Sequence, residues 1–440
     1  MGWHSMQLEP VTGIWGLGRE GLSVSRFLSR QGRRMLAVDE QDSLRPDGLA
    51  KEAEFYSGGS LDRLLTCSVV VASPGVPRVH PFRQLLESRG IEVTTATNLW
   101  MQDRAQNVVG VTGTKGKSTT SSLVLHLLQA GGVRSELGGN IGIPLTDITD
   151  PGGVTVAEMS SYQCAYLERS PRIAVVTNLY QDHLPWHGSL RQYWMDKCRI
   201  FTQGAQVLVC NLATLDALRG LGVALPSTVK TPDDPSVSGI DTMVLPASLS
   251  APHNVENLKL ALLAAAEVPG FELDLTRLAG ILLQYKGLSH RLEEVSERDN
   301  RTWIDDSLST TTESVVAAIE SFDGRELVLI VGGMDRGIDY GPLEASVASR
   351  LPAIHVVCLP DNGLEMVATY RHANSELVHS AATMDDAVSL ARKVSSPGSV
   401  IVMSPGAPSY NAYRNYEEKS QAYVRAVVSM TDVAEVNEPS

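Results

Sequence analysis

The sequence predicts an α/β protein of three successive domains, each a largely parallel sheet covered by helices. Three observations carry this expectation. Short β-branched runs alternate with helical stretches from residue 11 onward, which is the pattern of parallel sheets. The runs end in glycine- or hydroxyl-rich turns that open helices, the order nucleotide-binding folds use. The length, 440 residues, exceeds what one ordinary core accommodates. The expected domains are 1–104, 105–296 and 297–440.

Composition narrows the function before any motif is read. With 43% hydrophobic and 20% charged residues the chain is globular. A net charge of −13 argues against nucleic acid, whose phosphates require a basic face. No apolar run is long enough to span a membrane and no signal-peptide pattern opens the chain, so a cytoplasmic protein is expected. Five cysteines, Cys67, Cys164, Cys198, Cys210 and Cys358, are scattered without metal-ligand spacing and read as reduced thiols.

In the first segment Thr12 to Trp15 reads as a strand leading into Gly16-Leu17-Gly18-Arg19-Glu20-Gly21. A helix follows to Gln31, and Met35 to Asp39 is a second strand ending in a carboxylate. This is the dinucleotide fingerprint of a Rossmann-like domain, equally able to hold any nucleotide diphosphate, with Asp39 available to a ribose or base. Cys67 to Val76 repeats the strand-then-turn theme and brings Ser73 to the same sheet edge.

The central segment opens on the stretch Val108 to Thr120, whose core is Gly113-Thr114-Lys115-Gly116-Lys117-Ser118-Thr119. An apolar strand, a glycine turn and a helix from Ser121 to Ala130 make a phosphate-binding loop of a P-loop ATPase fold. Backbone N–H groups and a helix N-terminus would hold the phosphates of a nucleoside triphosphate. Lys117 would reach the terminal phosphates, and Ser118 or Thr119 would ligate Mg²⁺. The common pattern wants glycine at Val111, whereas here it stands at Gly110. Further on, Gly138 to Pro144 is a glycine loop exposing Asn140, and Val154 to Gln163 is a strand ending at Glu158. Glu158 reads either as a Mg²⁺ ligand or as a helix-capping acid. His183, after the strand at Ala174, reads equally as a metal ligand or a surface histidine. Lys197 lies mid-helix, where spacing alone suggests solvent. Asn257, near the start of the helix from Pro252, can cap it or read a base edge.

The last segment alternates again. Trp303 to Ser307 ends in two acids before a hydroxyl-rich helix start. Leu327 to Val331 runs into Gly332-Gly333-Met334-Asp335-Arg336-Gly337, and Ser399 to Met403 into Ser404 to Ser409. These strand ends predict a carboxylate-binding face.

Together these motifs resemble the Mur ligase family over nearly the whole chain, its MurD type most of all. The matching stretches are 113–119, 138–142, 158–163, 178–183 and 193–201, then His253-Asn254 with Asn257, His290-Arg291, Asp306-Ser307 and Ser404-Pro405. The phosphate loop with Gly110 is the family's own form. The resemblance implies an ATP-dependent ligase of peptidoglycan precursor synthesis, adding glutamate to UDP-N-acetylmuramoyl-L-alanine through an acyl phosphate. It implies a UDP-sugar site in the first domain with Gly16, Gly18, Asp39 and Ser73, and substrate contacts from Asn140 and Ser161. ATP would meet the phosphate loop, Asn257, Arg291 and Asp306. One Mg²⁺ would be held by Ser118 and Glu158, a second by His183 and a carbamylated Lys197, with Lys117, His183 and Lys197 catalytic. The third domain would hold glutamate with Thr310, Arg336, Ser409 and Tyr416, and the chain is expected to act as a monomer.

Two positions depart from the MurD type. A lysine usual after Asp-Ser is Leu308, and a carboxylate-binding lysine in the later glycine loop is Arg336. Arginine grips carboxylates in a planar, bidentate way and is not a neutral replacement. The changes favour the branch that adds L-glutamate. The alternatives are D-glutamate, a folate polyglutamylating ligase, a non-catalytic nucleotide-binding protein, and a dehydrogenase resting on residues 13–39 alone.

Overall fold

The computed structural model describes residues 11–40, 44–149, 152–246, 249–250, 252–272, 275–285, 287, 290–310, 312–335, 340–407, 409 and 412–429. The chain forms two compact units, Met1–Tyr285 and Lys286–Ser440. The first unit contains two sheets and the second contains one.

The first sheet is built from β1 (Thr12–Trp15), β2 (Met35–Asp39), β3 (Glu54–Ser57), β4 (Val69–Ala72) and β5 (Glu92–Thr94). Its order is β3-β2-β1-β4-β5, all parallel. The order reverses beside β1, which places a ligand crevice at that strand's C-terminal end. There Gly16 adopts φ +87, and a Cβ on it would lie 2.9 Å from that of Ser73. The helix Arg19–Arg30 follows, and a Cβ on Gly21 would lie 2.0 Å from the Gly16 carbonyl oxygen, so only glycine permits this close turn.

The second sheet comprises β6 (Val108–Thr112), β7 (Ser135–Gly139), β8 (Val154–Glu158), β9 (Ile173–Val176), β10 (Val207–Cys210) and β11 (Thr228–Lys230), in parallel order β11-β10-β9-β6-β8-β7. β6, β9 and β10 are buried along their whole length, as expected of strands covered on both faces. On one face the helices Lys117–Ala130 and Pro252–Ala266 pack Leu123, Leu127, Leu258 and Leu263 into the core; Trp100, Phe201 and Leu218 fill the other. Gly110 lies inside β6, where a Cβ would meet Pro171 Cγ at 2.5 Å. The glycine displaced from the usual loop pattern therefore serves strand packing, and the turn itself belongs to Gly113 and Gly116. The helix after the loop starts at Lys117 rather than Ser121, because Gly116 takes the left-handed conformation immediately before it.

The third sheet contains β12 (Glu293–Arg298), β13 (Arg301–Asp305), β14 (Leu327–Val331), β15 (His355–Cys358), β16 (Val378–Ser380) and β17 (Val400–Met403). Its order is β12-β13-β17-β14-β15-β16, parallel except for the β12–β13 hairpin. The expected boundary at 297 falls inside β12, whose pairing with β13 ties it to this sheet. All five cysteines are unbonded and buried, and burial raises the thiol pKa of each. Among the described residues no helix is long and apolar enough to cross a membrane.

Candidate active site

The phosphate loop is held by its own backbone and by the turn after β9. Thr177 Oγ1 and Asn178 Nδ2 donate to the Lys115 carbonyl at 2.6 and 3.0 Å, and Lys115 N–H donates to Asn178 Oδ1 at 2.8 Å. A Cβ on Gly113, at φ +150, would sit 1.8 Å from Thr177 Oγ1. At Gly116 (φ +79) it would meet Asn257 Oδ1 at 2.6 Å. These two glycines are obligatory because side chains already occupy the space beside them. Asn257 is buried and accepts from Thr120 Oγ1 at 3.2 Å, so it packs on the loop's helix rather than capping its own.

Lys117 reaches back across the loop and donates to the carbonyls of Gly113 and Thr114, both at 3.0 Å. Those carbonyls stand where phosphate oxygens would compete for the ammonium. Ser118 and Thr119 lie in the first helical turn, half-buried.

Beside the loop, Glu158 ends β8 and is 1% exposed. Asn140 Nδ2 donates to its Oε1 at 2.7 Å, while its Oε2 is buried without a partner among the described residues. Close approach of the Asn140 loop requires Gly139, where a Cβ would lie 2.2 Å from the Glu158 carbonyl oxygen. Glu158 does not cap the next helix; Ser160 does, in a reciprocal capping box with Gln163. A buried carboxylate oxygen with no donor is costly unless a cation occupies its front.

Lys197 is not a solvated lysine. It is 2% exposed, donates to the Gly113 carbonyl at 2.7 Å and lies 4.8 Å from the Tyr193 ring centroid. Burial, reinforced by the nearby Lys117 charge, pushes its pKa down to about 7. Its amine is therefore substantially neutral near physiological pH. His183 takes a left-handed conformation (φ 51) and its Nδ1 meets Tyr162 Oη at 3.0 Å; burial lowers its pKa. Tyr193 Oη lies 3.2 Å from Thr114 Oγ1, joining the aromatic cluster to the loop.

In the first sheet, Asp39 accepts from Leu17 N–H at 2.9 Å and so shapes the glycine turn. Gly18 precedes the helix with no side-chain cap, which leaves its N-terminal N–H groups to an anion. Sequence reasoning missed Glu20 in that first turn. Its Oε1 accepts from Gln163 Nε2 at 2.6 Å, its Oε2 is buried without a partner among the described residues, and burial raises its pKa to about 7. The acid inside the fingerprint was the available signal.

In the second unit, Asp306 is 1% exposed and accepts from Ser404 Oγ at 2.6 Å and from Leu292 N–H at 3.2 Å. Burial raises its pKa to about 6 despite these bonds and the Arg291 charge. Asp305 turns elsewhere: it accepts from Ser420 Oγ at 2.6 Å and pairs with His290 Nδ1 at 2.9 Å, which raises the His290 pKa. Ser307 Oγ and Ser409 Oγ are buried and unpartnered among the described residues. The Tyr416 ring packs edge-on against His290 at 5.8 Å. Thr310 is half-buried at the following turn. Arg336 lies outside the described residues. Lys419, also missed, is buried, donates to the Gly332 carbonyl at 2.7 Å and has its pKa lowered to about 8 by burial.

Comparison with known proteins matches three consecutive family domains to the three sheets. The Mur ligase MurD-like N-terminal domain covers residues 11–95, the Mur ligase middle domain 111–221 and the Mur ligase glutamate ligase domain 290–406. A UDP-N-acetylmuramoyl-L-alanine–L-glutamate ligase of Salinispora tropica is 40% identical over 94% of this chain and 96% of its own.

This chain belongs to the Mur ligase family.

A second relative named as an L-glutamate ligase, from Xanthomonas axonopodis pv. citri, is 33% identical over 95% of each chain. A D-glutamate ligase of Pelobacter propionicus is 30% identical over 95% of this chain and 98% of its own. Among solved structures, the UDP-N-acetylmuramate–alanine ligase MurC of Thermotoga maritima gives a TM-score of 0.60 at 16% identity, over 96% of this ligase and 100% of that chain. That likeness concerns the three-domain α/β fold alone.

Proposed function

We propose that this ligase joins L-glutamate to UDP-N-acetylmuramoyl-L-alanine with ATP, in peptidoglycan precursor synthesis in the cytoplasm. The observation that carries the chemistry is the phosphate loop with Lys117 folded across it and the unsatisfied Glu158 oxygen beside it. The 40% relative carries the substrate pair. A carboxylate and an amine do not condense usefully in water, so the alanine carboxylate first takes the terminal phosphoryl group of ATP. Lys117 neutralises that group during transfer, the main electrostatic task of such a step. The glutamate amine then attacks the acyl phosphate, a tetrahedral intermediate forms, and phosphate leaves to give the amide.

Glu158 and Ser118 fit one Mg²⁺, the first through its unsatisfied oxygen. The metal supplies charge neutralisation to the phosphates when bound. A lowered pKa makes Lys197 a nucleophilic amine, able to take up CO₂ and become a carbamate. Carbamate formation releases one proton and turns the buried neutral amine into an anion, which would hold a second Mg²⁺ together with His183. Gly16, Gly18, Asp39 and Ser73 hold the UDP group, and Asn140 and Ser161 the sugar peptide. Asn257, Arg291 and Asp306 serve ATP. Thr310, Arg336, Ser409 and Tyr416 receive glutamate, and Ser409 offers the clearest support with a buried hydroxyl that has no partner among the described residues. The first domain thus handles the nucleotide sugar, the central one ATP and the last one the amino acid.

The test is phosphate release that requires both UDP-N-acetylmuramoyl-L-alanine and L-glutamate, with the product mass increased by one glutamyl residue. Phosphate release independent of either substrate would overturn the reading. For Lys197, a ¹³C carbamate signal after ¹³C-bicarbonate, absent in Lys197→Ala, is expected; its absence from the wild type would remove the modification.

A further inference from the structure

The helix Leu190–Thr202 carries a second buried ionisable residue beside Lys197 that none of the chemistry above uses. Asp196 is 2% exposed and accepts at both oxygens. Its Oδ1 takes Gln192 Nε2 at 2.8 Å and Arg78 Nη1 at 3.1 Å, and its Oδ2 takes His187 Nδ1 at 2.7 Å. His187 is buried in turn, and its Nε2 lies 3.0 Å from Ser161 Oγ. The imidazole is fixed by stacking on Tyr162 (5.6 Å, 11°) and by edge contacts with Trp186 at 4.4 Å and Tyr193 at 5.0 Å. A continuous chain of hydrogen bonds therefore runs from Arg78, in the turn after β4, to Ser161, three residues beyond Glu158.

The fixity of this chain follows from its geometry. Asp196 takes Gln192 and Arg78 on one oxygen and His187 on the other, so the carboxylate cannot turn. The ring it holds presents Nε2 to Ser161 Oγ, which pins the hydroxyl in one place. Ser161 opens the short helix Ser161–Cys164, which is joined to the first sheet's domain through Gln163 and Glu20.

We propose that Arg78, Asp196 and His187 are positioning residues that hold the Ser161 hydroxyl in one orientation for a hydrogen bond to a polar group of the nucleotide-sugar peptide, a hydroxyl or an amide. Arg78 makes this setting depend on the seating of the turn after β4, so the sugar-binding domain and the turn following Glu158 are set together. This rests on the reading that the first unit binds UDP-N-acetylmuramoyl-L-alanine.

The experiment is a double-mutant cycle read as Kd for that substrate by calorimetry, with UDP and ATP as control ligands. Ser161→Ala and His187→Phe are each expected to weaken the nucleotide-sugar peptide about 10-fold, the scale of one lost hydrogen bond. The double variant should be no weaker than Ser161→Ala alone, because His187 acts only through Ser161. Asp196→Asn, nearly isosteric, should reproduce the loss by turning an amide N–H toward His187 Nδ1, and it takes the place of His187→Phe in the cycle if that variant does not fold. Binding of UDP and ATP should stay within about 2-fold by the same independence. Equal cost of His187→Phe with and without Ser161, no loss in either single variant, or parallel weakening of all three ligands with a fallen Tm would each overturn the proposal. Failure of the wild type to bind the nucleotide-sugar peptide while binding ATP would instead remove the functional reading beneath it.

Discussion

The phosphate loop of the first unit and the acid-rich strand ends of the second solve different problems with different materials. Around Gly113 to Lys117 the loop carbonyls and the Lys117 ammonium are already paired, with Thr177 and Asn178 clamping the backbone and Asn257 packed beside Gly116. The charge partners of a nucleotide are held rigid before it arrives, which is what electrostatic preorganisation requires. Around Asp306 the strand ends leave the Ser307 and Ser409 hydroxyls buried without partners among the described residues, and Leu308 stands where the MurD type usually has a lysine. On the proposed reading the first site fixes a constant chemistry, with the Glu158 oxygen left for a cation, while the second leaves hydroxyls for an incoming amino acid. The difference teaches that such a ligase can change its amino acid without touching its phosphoryl transfer.

Breaking the first site should have the largest effect. Lys117→Ala and Glu158→Gln are each expected to lower kcat by about 10³-fold or more, since each removes a charge aimed at the transferring phosphoryl group or its counter-ion. Steady-state phosphate release measures this, and a loss below about 10-fold would place the chemistry elsewhere. In the second site Ser409→Ala should raise KM for glutamate by about 10- to 100-fold, the scale of a hydrogen bond to a charged group, with KM for ATP unchanged. An equal rise for both substrates would show a general defect of the unit.

The smallest effect expected concerns Glu20. Its folded pKa, about 7, lies above the ordinary 4.5, so its contribution is fully favourable below pH 4.5 and is lost as pH rises toward and through 7. Wild type should therefore lose about 2 kcal/mol relative to Glu20→Gln between pH 5 and pH 8. Thermal melts of the two proteins across that range measure the difference, in which all other titrating groups cancel. A constant difference would mean that the carboxyl is solvated.

Much of this was legible in the sequence because its signals are contiguous. The fingerprint at Gly16 and the phosphate loop each specify a strand, a turn and a helix within about twenty residues. Lys197 was illegible from spacing, since only the approach of helix Leu190–Thr202 to Gly113 removes it from water. Asp196, His187 and Ser161 meet across 35 residues, and Arg78 joins them from another sheet; no local pattern encodes that. The displaced Gly110 was read as a loop feature, but Pro171, distant in sequence, decides its role. The hairpin β12–β13 moved the expected boundary for the same reason, because pairing rather than composition defines where the third sheet begins.

The central claim is that phosphoryl transfer is retained while the amino-acid pocket is rebuilt, and the ratio of kcat/KM for L-glutamate to that for D-glutamate tests it most directly. With UDP-N-acetylmuramoyl-L-alanine and ATP saturating, phosphate release should favour L-glutamate by at least about 100-fold, the discrimination expected when buried polar groups go unpaired with the wrong isomer. A ratio near one, or a preference for D-glutamate, would contradict the account and show that Leu308 and Arg336 leave the stereochemistry of the pocket unchanged.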